Sequence, residues 1–388
     1  MKTERAIAHV PFARPDIGDA EVAAVSEVLR SGWLTTGPKT KQFESEFARA
    51  VGAKHAVMLN SCTAALHLAL DAIGLRAGDE VIVPTLTFAA TGEVVTYFGA
   101  RPVLVDVRSD HSIDPAAVEA ACTPRTRAVI PVHFGGMPYD VDEIVALAKD
   151  RGIRVIDDAA HCFPGEYRGR SIGTLADITC FSFYAIKTIT TGEGGAAVTA
   201  NDEWAERMRM MSMHGISGHA WKRYAAGGKW FYEIEAPGYK YNMTDIAAAL
   251  GLVQLSRAQE FLERRQHIAS LYDRAFGELD AFELPPRLSD RSHAYHLYVL
   301  KVRRGPKRIN RDGLIEGLAA LGVSTSVHFI PLHLHPYYRR TFGYRPEDFP
   351  VALDLYERSV SLPIYSSMSL SDAETVVDAV TRLAESSD

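Results

Sequence analysis

The stretch "ITCFSFYAIKTITTGEGGAAVT", residues 178–199, decides how the chain reads. Its two ends, Ile178–Phe183 and Gly194–Thr199, are apolar runs without in-out alternation, the mark of strands buried on both faces. Between them sits Lys187, followed by three threonines and three glycines, with Glu193 the only other charge. A lysine in such a setting is rarely buried unless it is paired or chemically employed. What Lys187 does is therefore the question the rest of the chain must answer.

Upstream, further short apolar strands alternate with helical segments from about residue 16: "AVML" (56–59), "EVIVP" (80–84), "RPVLVDV" (101–107), "RAVIPVH" (127–133) and "RVIDD" (154–158). "DIGDAEVAAVSEVLRSG" has helical spacing and stops at Gly32, and "IDPAAVEAAC" opens a helix with Asp114 at N-cap and Pro115 at N1. This pattern predicts an α/β fold with a mostly parallel sheet covered by helices. Beyond residue 240 the texture changes. A long helix is expected from about Thr244 to Phe276, then alternating strands in "HAYHLYVLKV" (293–302) and "STSVHFI" (324–330), and a closing amphipathic helix at 371–385. Residues 1–255 read as a large α/β domain with an N-terminal arm, and 256–388 as a smaller α+β domain.

The 388 residues, 47% apolar and 23% charged, suit a soluble globular protein of about two domains. A net charge of −6 argues against nucleic acid or an anionic membrane as the main partner. No apolar run nears the roughly 20 residues of a membrane span, and "MKTERAIAHVPF" lacks a signal-peptide core. Four cysteines without CxxC spacing, in apolar contexts, read as small buried thiols rather than a disulfide framework, which fits a reducing cytoplasm.

Three features fall at strand ends, where open α/β sheets bind ligands. In "LNSCTAALH" a strand turns through Asn60-Ser61 into a helix, so the amides near Thr63 and Ala64 could cradle a phosphate; an ordinary helix cap fits as well. In "RVIDDAAH" a strand ends in Asp157 and Asp158, with His161 close behind. Such a pair can cap, act as a base or hold a cationic nitrogen. No metal-ligand spacing of a known type accompanies it. The third feature is Lys187, whose amine would be pushed toward its neutral, nucleophilic form by an apolar, water-poor site. Phosphate cradle, carboxylate, aromatic face and amine together match what pyridoxal phosphate requires of a protein.

The stretches "SGWLTTGPKTKQFE", "VIDDAAH", "FSFYAIKTITTGEGG" and "GYKYNMTDIAAALG", in this order, closely resemble the DegT/DnrJ/EryC1/StrS nucleotide-sugar aminotransferases. The resemblance covers nearly the whole chain. It implies a PLP-dependent transferase of fold type I, with a mostly parallel seven-stranded sheet. It implies that Lys187 forms the imine with pyridoxal phosphate and that Asp158 faces the pyridine nitrogen. Phe88 would stack on the ring, His161 would lie beside the ring hydroxyl, and Thr63, Ala64 and Ser182 would contact the phosphate. Asn242 would reach the phosphate of the neighbouring subunit, making a homodimer with shared sites, and His328 would line the sugar pocket. L-Glutamate would be the donor, leaving its nitrogen as pyridoxamine phosphate, and a nucleotide-linked keto sugar the acceptor. "TITTGEGG" and "GWLTTGPK" resemble the 4-keto branch, closest to enzymes aminating UDP-4-keto pentoses, with a dTDP- or UDP-linked 4-keto-6-deoxyhexose next. The products would serve antibiotic or cell-surface glycans.

Other readings compete. Phe88 alone could be core, and Asn242 could cap the helix after it with Asp245 completing a box. His328, His333 and His335 could form a metal site, the last two on one strand face. "SGWLTTGPKT" nearly spells a phosphate-binding loop, but Pro38 stands where the lysine belongs. A 3-keto aminotransferase or a non-catalytic PLP-binding regulator of the same fold are the remaining alternatives. Lys187 itself excludes the dehydratase branch, which carries histidine there.

Overall fold

A computed structural model describes residues 9–216, 232–306 and 308–385; the first eight residues, most of the supposed N-terminal arm and signal-peptide test, lie outside this set. Seven strands form the main sheet in the spatial order His55–Leu59, Gly195–Thr199, Ile178–Ser182, Arg154–Asp158, Thr126–Val129, Glu80–Pro84, Arg101–Val105. Pairings are parallel from Ile178–Ser182 through to Arg101–Val105. Gly195–Thr199 runs antiparallel to both its neighbours. It is the one reversed strand, so the carboxyl ends of the other six lie along a single edge.

Strict alternation assigns side chains to two cores. Val155 packs on one face with Met58, Val129 and Tyr139, whereas Ile156 packs on the other with Leu59, Val83 and Cys180. The same alternation sends Asp157 and Asp158 to opposite faces. A second antiparallel sheet, Phe282–Glu283, Tyr298–Val302 and Ser359–Leu362, packs with helices Ala258–Phe276, Arg311–Ala320 and Leu370–Glu385 around Tyr272, Leu318 and Val376. Among the described residues no helix is long and apolar enough to cross a membrane. All four cysteines are free; Cys162 and Cys180 are buried as expected, but Cys62 and Cys122, at a helix start and a helix end, are partly exposed.

Three expectations about the later half need correction. The long helix is two, Asp245–Ser256 and Ala258–Phe276, broken at Arg257, just past the expected domain boundary. No Gly or Pro marks the break; the Arg257 guanidinium is drawn to Asp16 and Glu21 at 3.0 and 2.9 Å. "HAYHLYVLKV" becomes strand only from Tyr298, because the amides of Ala294 and Leu297 instead bond Gly136 and Gly135 of the main sheet's loop. "STSVHFI" forms only a single bridge, Ser326 with Ser361.

The residues after Gly238 also fold differently from the cap expected at Asn242. Thr244 caps the helix, accepting from Ala247 N at 3.2 Å. Asp245, 2% exposed, turns its carboxylate to the start of a different helix, Pro38–Val51. It accepts from the amides of Gly37, Lys39 and Thr40 at 2.7, 3.1 and 2.9 Å and from Thr40 Oγ1 at 2.7 Å. The near-miss phosphate loop therefore has its amides filled by the chain's own carboxylate.

Candidate active site

A cavity of about 350 Å³ opens at the carboxyl edge of the sheet. Thr63, Phe88, Asp158, His161, Ser182, Lys187 and His328 all line it. Thr63 and His328, near opposite ends of the sequence, thus meet in one place.

Asp158 ends its strand 5% exposed. Thr91 Oγ1 donates to its Oδ2 at 2.8 Å and Ala160 N to its Oδ1 at 3.1 Å. Burial nevertheless pushes its carboxyl above the usual range, because these bonds and the nearby Lys187 only partly offset desolvation. Lys187 shows the mirror image. Desolvation brings its amine down to about 8, against the pull of Asp158 and Cys62. An underpaired buried carboxylate and a poised amine in one cavity are the demands of a cofactor carrying a cationic ring nitrogen and an aldehyde.

His161 is buried, and its Nδ1 accepts from Gly135 N at 3.2 Å. Burial, with Lys187 and His328 adding repulsion, holds the imidazole neutral. A neutral ring whose Nδ1 accepts carries its proton on Nε2, so it offers a donor to a ligand oxygen. Phe88 precedes the helix Ala89–Thr96 and is 60% exposed, its ring centroid 5.8 Å from that of Phe329. It is not core: a flat apolar face is left open at the cavity wall.

Opposite, Ser61 caps the helix Cys62–Ala72 and its Oγ accepts from Ala64 N at 3.1 Å. Of the three phosphate contacts expected, Thr63 and Ser182 line the cavity and Ala64 does not. The packing leaves room here only because residue 195 is glycine; a Cβ there would lie 2.4 Å from Cys62 N.

Asn242 does not line this cavity. It borders a separate one of about 710 Å³ with Trp33, Lys41, Glu44 and Arg209, donating to Thr36 Oγ1 at 2.6 Å and accepting from Lys240 Nζ. The histidine cluster also separates. His328 faces the cavity, with its Nδ1 2.8 Å from Ser361 Oγ. His333 lies in a 3₁₀ turn, not a strand, and spends both ring nitrogens on Thr85 and the Pro346 carbonyl. His335 bonds the Ile330 carbonyl. Among the described residues no group of three or more His, Cys, Asp or Glu could hold a metal ion.

Sequence reading missed Thr91, Cys62, Phe329 and His296, all at or beside the cavity. His296 was hidden inside a strand-like pattern; its Nε2 lies 3.3 Å from Lys187 Nζ.

Comparison with known proteins identifies the family. The chain matches the DegT/DnrJ/EryC1/StrS aminotransferase family over residues 15–381. It is 49% identical to the spore coat polysaccharide biosynthesis protein SpsC of Bacillus subtilis over 381 residues, 98% of each chain. The fold superposes on Spr1654 of Streptococcus pneumoniae, solved in PLP and PMP forms. For the PLP form the TM-score is 0.91 at 34% identity, over 98% of this chain and all of that one. PseC of Helicobacter pylori, an aminotransferase of pseudoaminic acid biosynthesis, gives 0.90 at 30% identity, over 98% and 100%. The chain belongs to this family of PLP-dependent sugar aminotransferases.

Proposed function

We propose that this family member moves an amino group from L-glutamate to the C4 ketone of a nucleotide-linked sugar, with a UDP-4-keto pentose as the favoured acceptor. The observation that carries the reading is the meeting of Lys187, Asp158 and the start of the helix Cys62–Ala72 in one cavity. Bound there, pyridoxal phosphate supplies an electron sink.

In this reading Lys187 would hold the cofactor, Asp158 would keep its ring nitrogen protonated, and the His161 Nε2–H would be offered to the ring hydroxyl. Phe88 would offer its open face to the ring, and Thr63, Ser182 and the start of the helix Cys62–Ala72 would hold the phosphate. With the cofactor bound, the free Lys187 amine would be the base available to move a proton at the substrate's amino-bearing carbon. Its amine, lowered to about 8, is suited to that near neutral pH. His328 lines the acceptor's side. Asn242 completes the phosphate site of the neighbouring subunit, so two sites are shared across a homodimer; its place on a different cavity from Lys187 supports this.

The polysaccharide role in the name of SpsC and the pseudoaminic acid role of PseC support an amino-sugar product. Preference for the 4-keto sugar rests on "GEGG" and "GWLTTGPK". One methyl group separates pentose from 6-deoxyhexose, worth about 1–3 kcal/mol of discrimination. The test gives the purified protein PLP, L-glutamate and a panel: UDP-4-keto pentose, dTDP- and UDP-4-keto-6-deoxyhexose, and a 3-keto nucleotide sugar. Product mass and 2-oxoglutarate are read for each. Fastest amination of the pentose is expected. Amination of the 3-keto sugar alone would overturn the branch, and no amination with PLP bound would favour a regulator.

A further inference from the structure

We propose that His296 is a positioning residue for Lys187: its Nε2–H donates to the amine nitrogen, keeping that amine neutral and aimed into the cavity. This rests on the reading of Lys187 as the cofactor lysine. The two nitrogens are 3.3 Å apart, and His296 is 5% exposed. Its Nδ1 is buried without a hydrogen-bond partner. Were the ring proton on Nδ1, it would be an orphaned buried N–H, the costlier kind of unpaired group; on Nε2 it has the amine as acceptor. Burial, reinforced by Lys187, His161, Arg265 and His328, disfavours the imidazolium, so a neutral donor faces the lone pair. The other groups around the amine are Asp158 and Cys62, and neither reaches it with an N–H.

The surroundings fix the ring. His296 packs on His161 with centroids 4.4 Å apart. Its segment is tied to the Phe134–Gly136 turn by Ala294 N to Gly136 O at 2.8 Å and Leu297 N to Gly135 O at 3.0 Å. Gly135 N also orients His161, so a single turn sets both imidazoles. Gly136, at φ 102°, has no room for a side chain: a Cβ would come within 2.9 Å of the His161 carbonyl. On the far side the buried Arg265 bonds the carbonyls of Tyr295 and Ile364 at 3.1 and 3.0 Å, steadying Tyr295 at φ 48°. Such support is what an aimed donor needs and what a space-filling histidine does not.

The first measurement uses the wild-type apoprotein with ¹⁵N-labelled histidine at about pH 9.5, where an amine lowered to about 8 is largely neutral and can accept, the His296 signal being assigned by its absence in His296→Gln. The Nε2–H tautomer is expected; the Nδ1–H tautomer would overturn the proposal. The second follows the pH dependence with which an amine-reactive reagent labels Lys187, read by mass spectrometry of its peptide. His296→Gln, which can still present an N–H, should keep the midpoint. His296→Phe, which keeps the ring and loses both nitrogens, should raise it by about half a pH unit or more, the worth of one ordinary hydrogen bond. A midpoint unchanged or lowered in His296→Phe would mean that no such bond holds the neutral amine. Borohydride fixation of cofactor to Lys187 in the loaded wild type tests the underlying reading separately, since its failure would dismiss Lys187 whatever His296 does.

Discussion

Asp157 and Asp158 are adjacent in one strand, yet their carboxylates serve opposite sides of the sheet. Asp158 lines the cavity and accepts from Thr91 and Ala160, while Asp157, fully buried, accepts from Tyr139 OH at 2.5 Å and from Thr179 Oγ1 at 3.4 Å, with His133 Nε2 3.3 Å from its Oδ2.

Their asparagine variants should therefore part ways. Asp158→Asn removes the anion opposite the ring nitrogen, and turnover should fall on the order of 10² or more, as when other charge stabilisers are removed. Asp157→Asn upsets a buried hydrogen-bonded cluster instead. It should lower unfolding free energy by about 1–3 kcal/mol with turnover nearly intact. Steady-state rates and thermal melts on both variants decide; parallel losses of rate would dismiss the assignment of Asp158.

Lys187 sets a pH dependence. With the amine at about 8, its neutral fraction grows as pH rises through that value. Capture of PLP by apoprotein, followed by absorbance, should speed up through about pH 8 and then level. The same shift bears on stability. A lysine held below its ordinary 10.5 is a liability while the folded amine is protonated, and the liability fades as pH climbs from about 8 to 10.5. Lys187→Met should thus raise the apoprotein's melting temperature at pH 7, with a smaller gain at pH 10, and should abolish transamination. A gain that grows with pH would contradict the assigned direction.

Asp245 makes a third prediction about stability. Its carboxylate is the cap of the helix Pro38–Val51, reached across more than 200 residues. Asp245→Ala leaves three backbone amides and a hydroxyl without that acceptor, and a loss of roughly 2–4 kcal/mol is expected from a cap removed in a buried setting. Asp245→Asn, which keeps one acceptor oxygen, should lose less. Denaturant unfolding of both checks this; equal stabilities would show that the cap contributes little.

The three features that were legible in the sequence share a cause. Lys187, Asp158 and the helix start at Cys62 each sit at the end of an apolar strand, and local pattern locates strand ends well. Phe88 needed the fold, because exposure rather than residue type separates a stacking face from a core ring. His296 was unreadable for the opposite reason. Its flanking residues alternate like a strand, but bonds from Ala294 and Leu297 to the Gly135–Gly136 turn draw it out of the second sheet. Asp245 likewise looked like part of its own helix's cap, since no local signal reveals a partner at residues 37–40. Long-range pairing overrode local propensity in both cases.

The last prediction concerns assembly, and it follows from the place of Asn242. Its amide donates to Thr36 Oγ1, and it lines a cavity other than that of its own Lys187. If it serves the neighbouring subunit, each site in a two-fold dimer takes Lys187 from one chain and Asn242 from the other. Lys187→Ala and Asn242→Asp, the latter placing a negative charge against a phosphate, should each be inactive as homodimers. Mixing them under conditions of subunit exchange produces hybrids in which one site carries both changes and the other carries neither. Activity should then reappear, approaching half that of a wild-type dimer for each hybrid. Hybrids can be isolated with two different affinity tags, and a wild-type pair carried through the same exchange controls for damage. Cofactor content supplies a second readout, because an intact cradle needs both chains. Purified hybrids that stay inactive while the wild-type control survives would place Asn242 outside the neighbouring site.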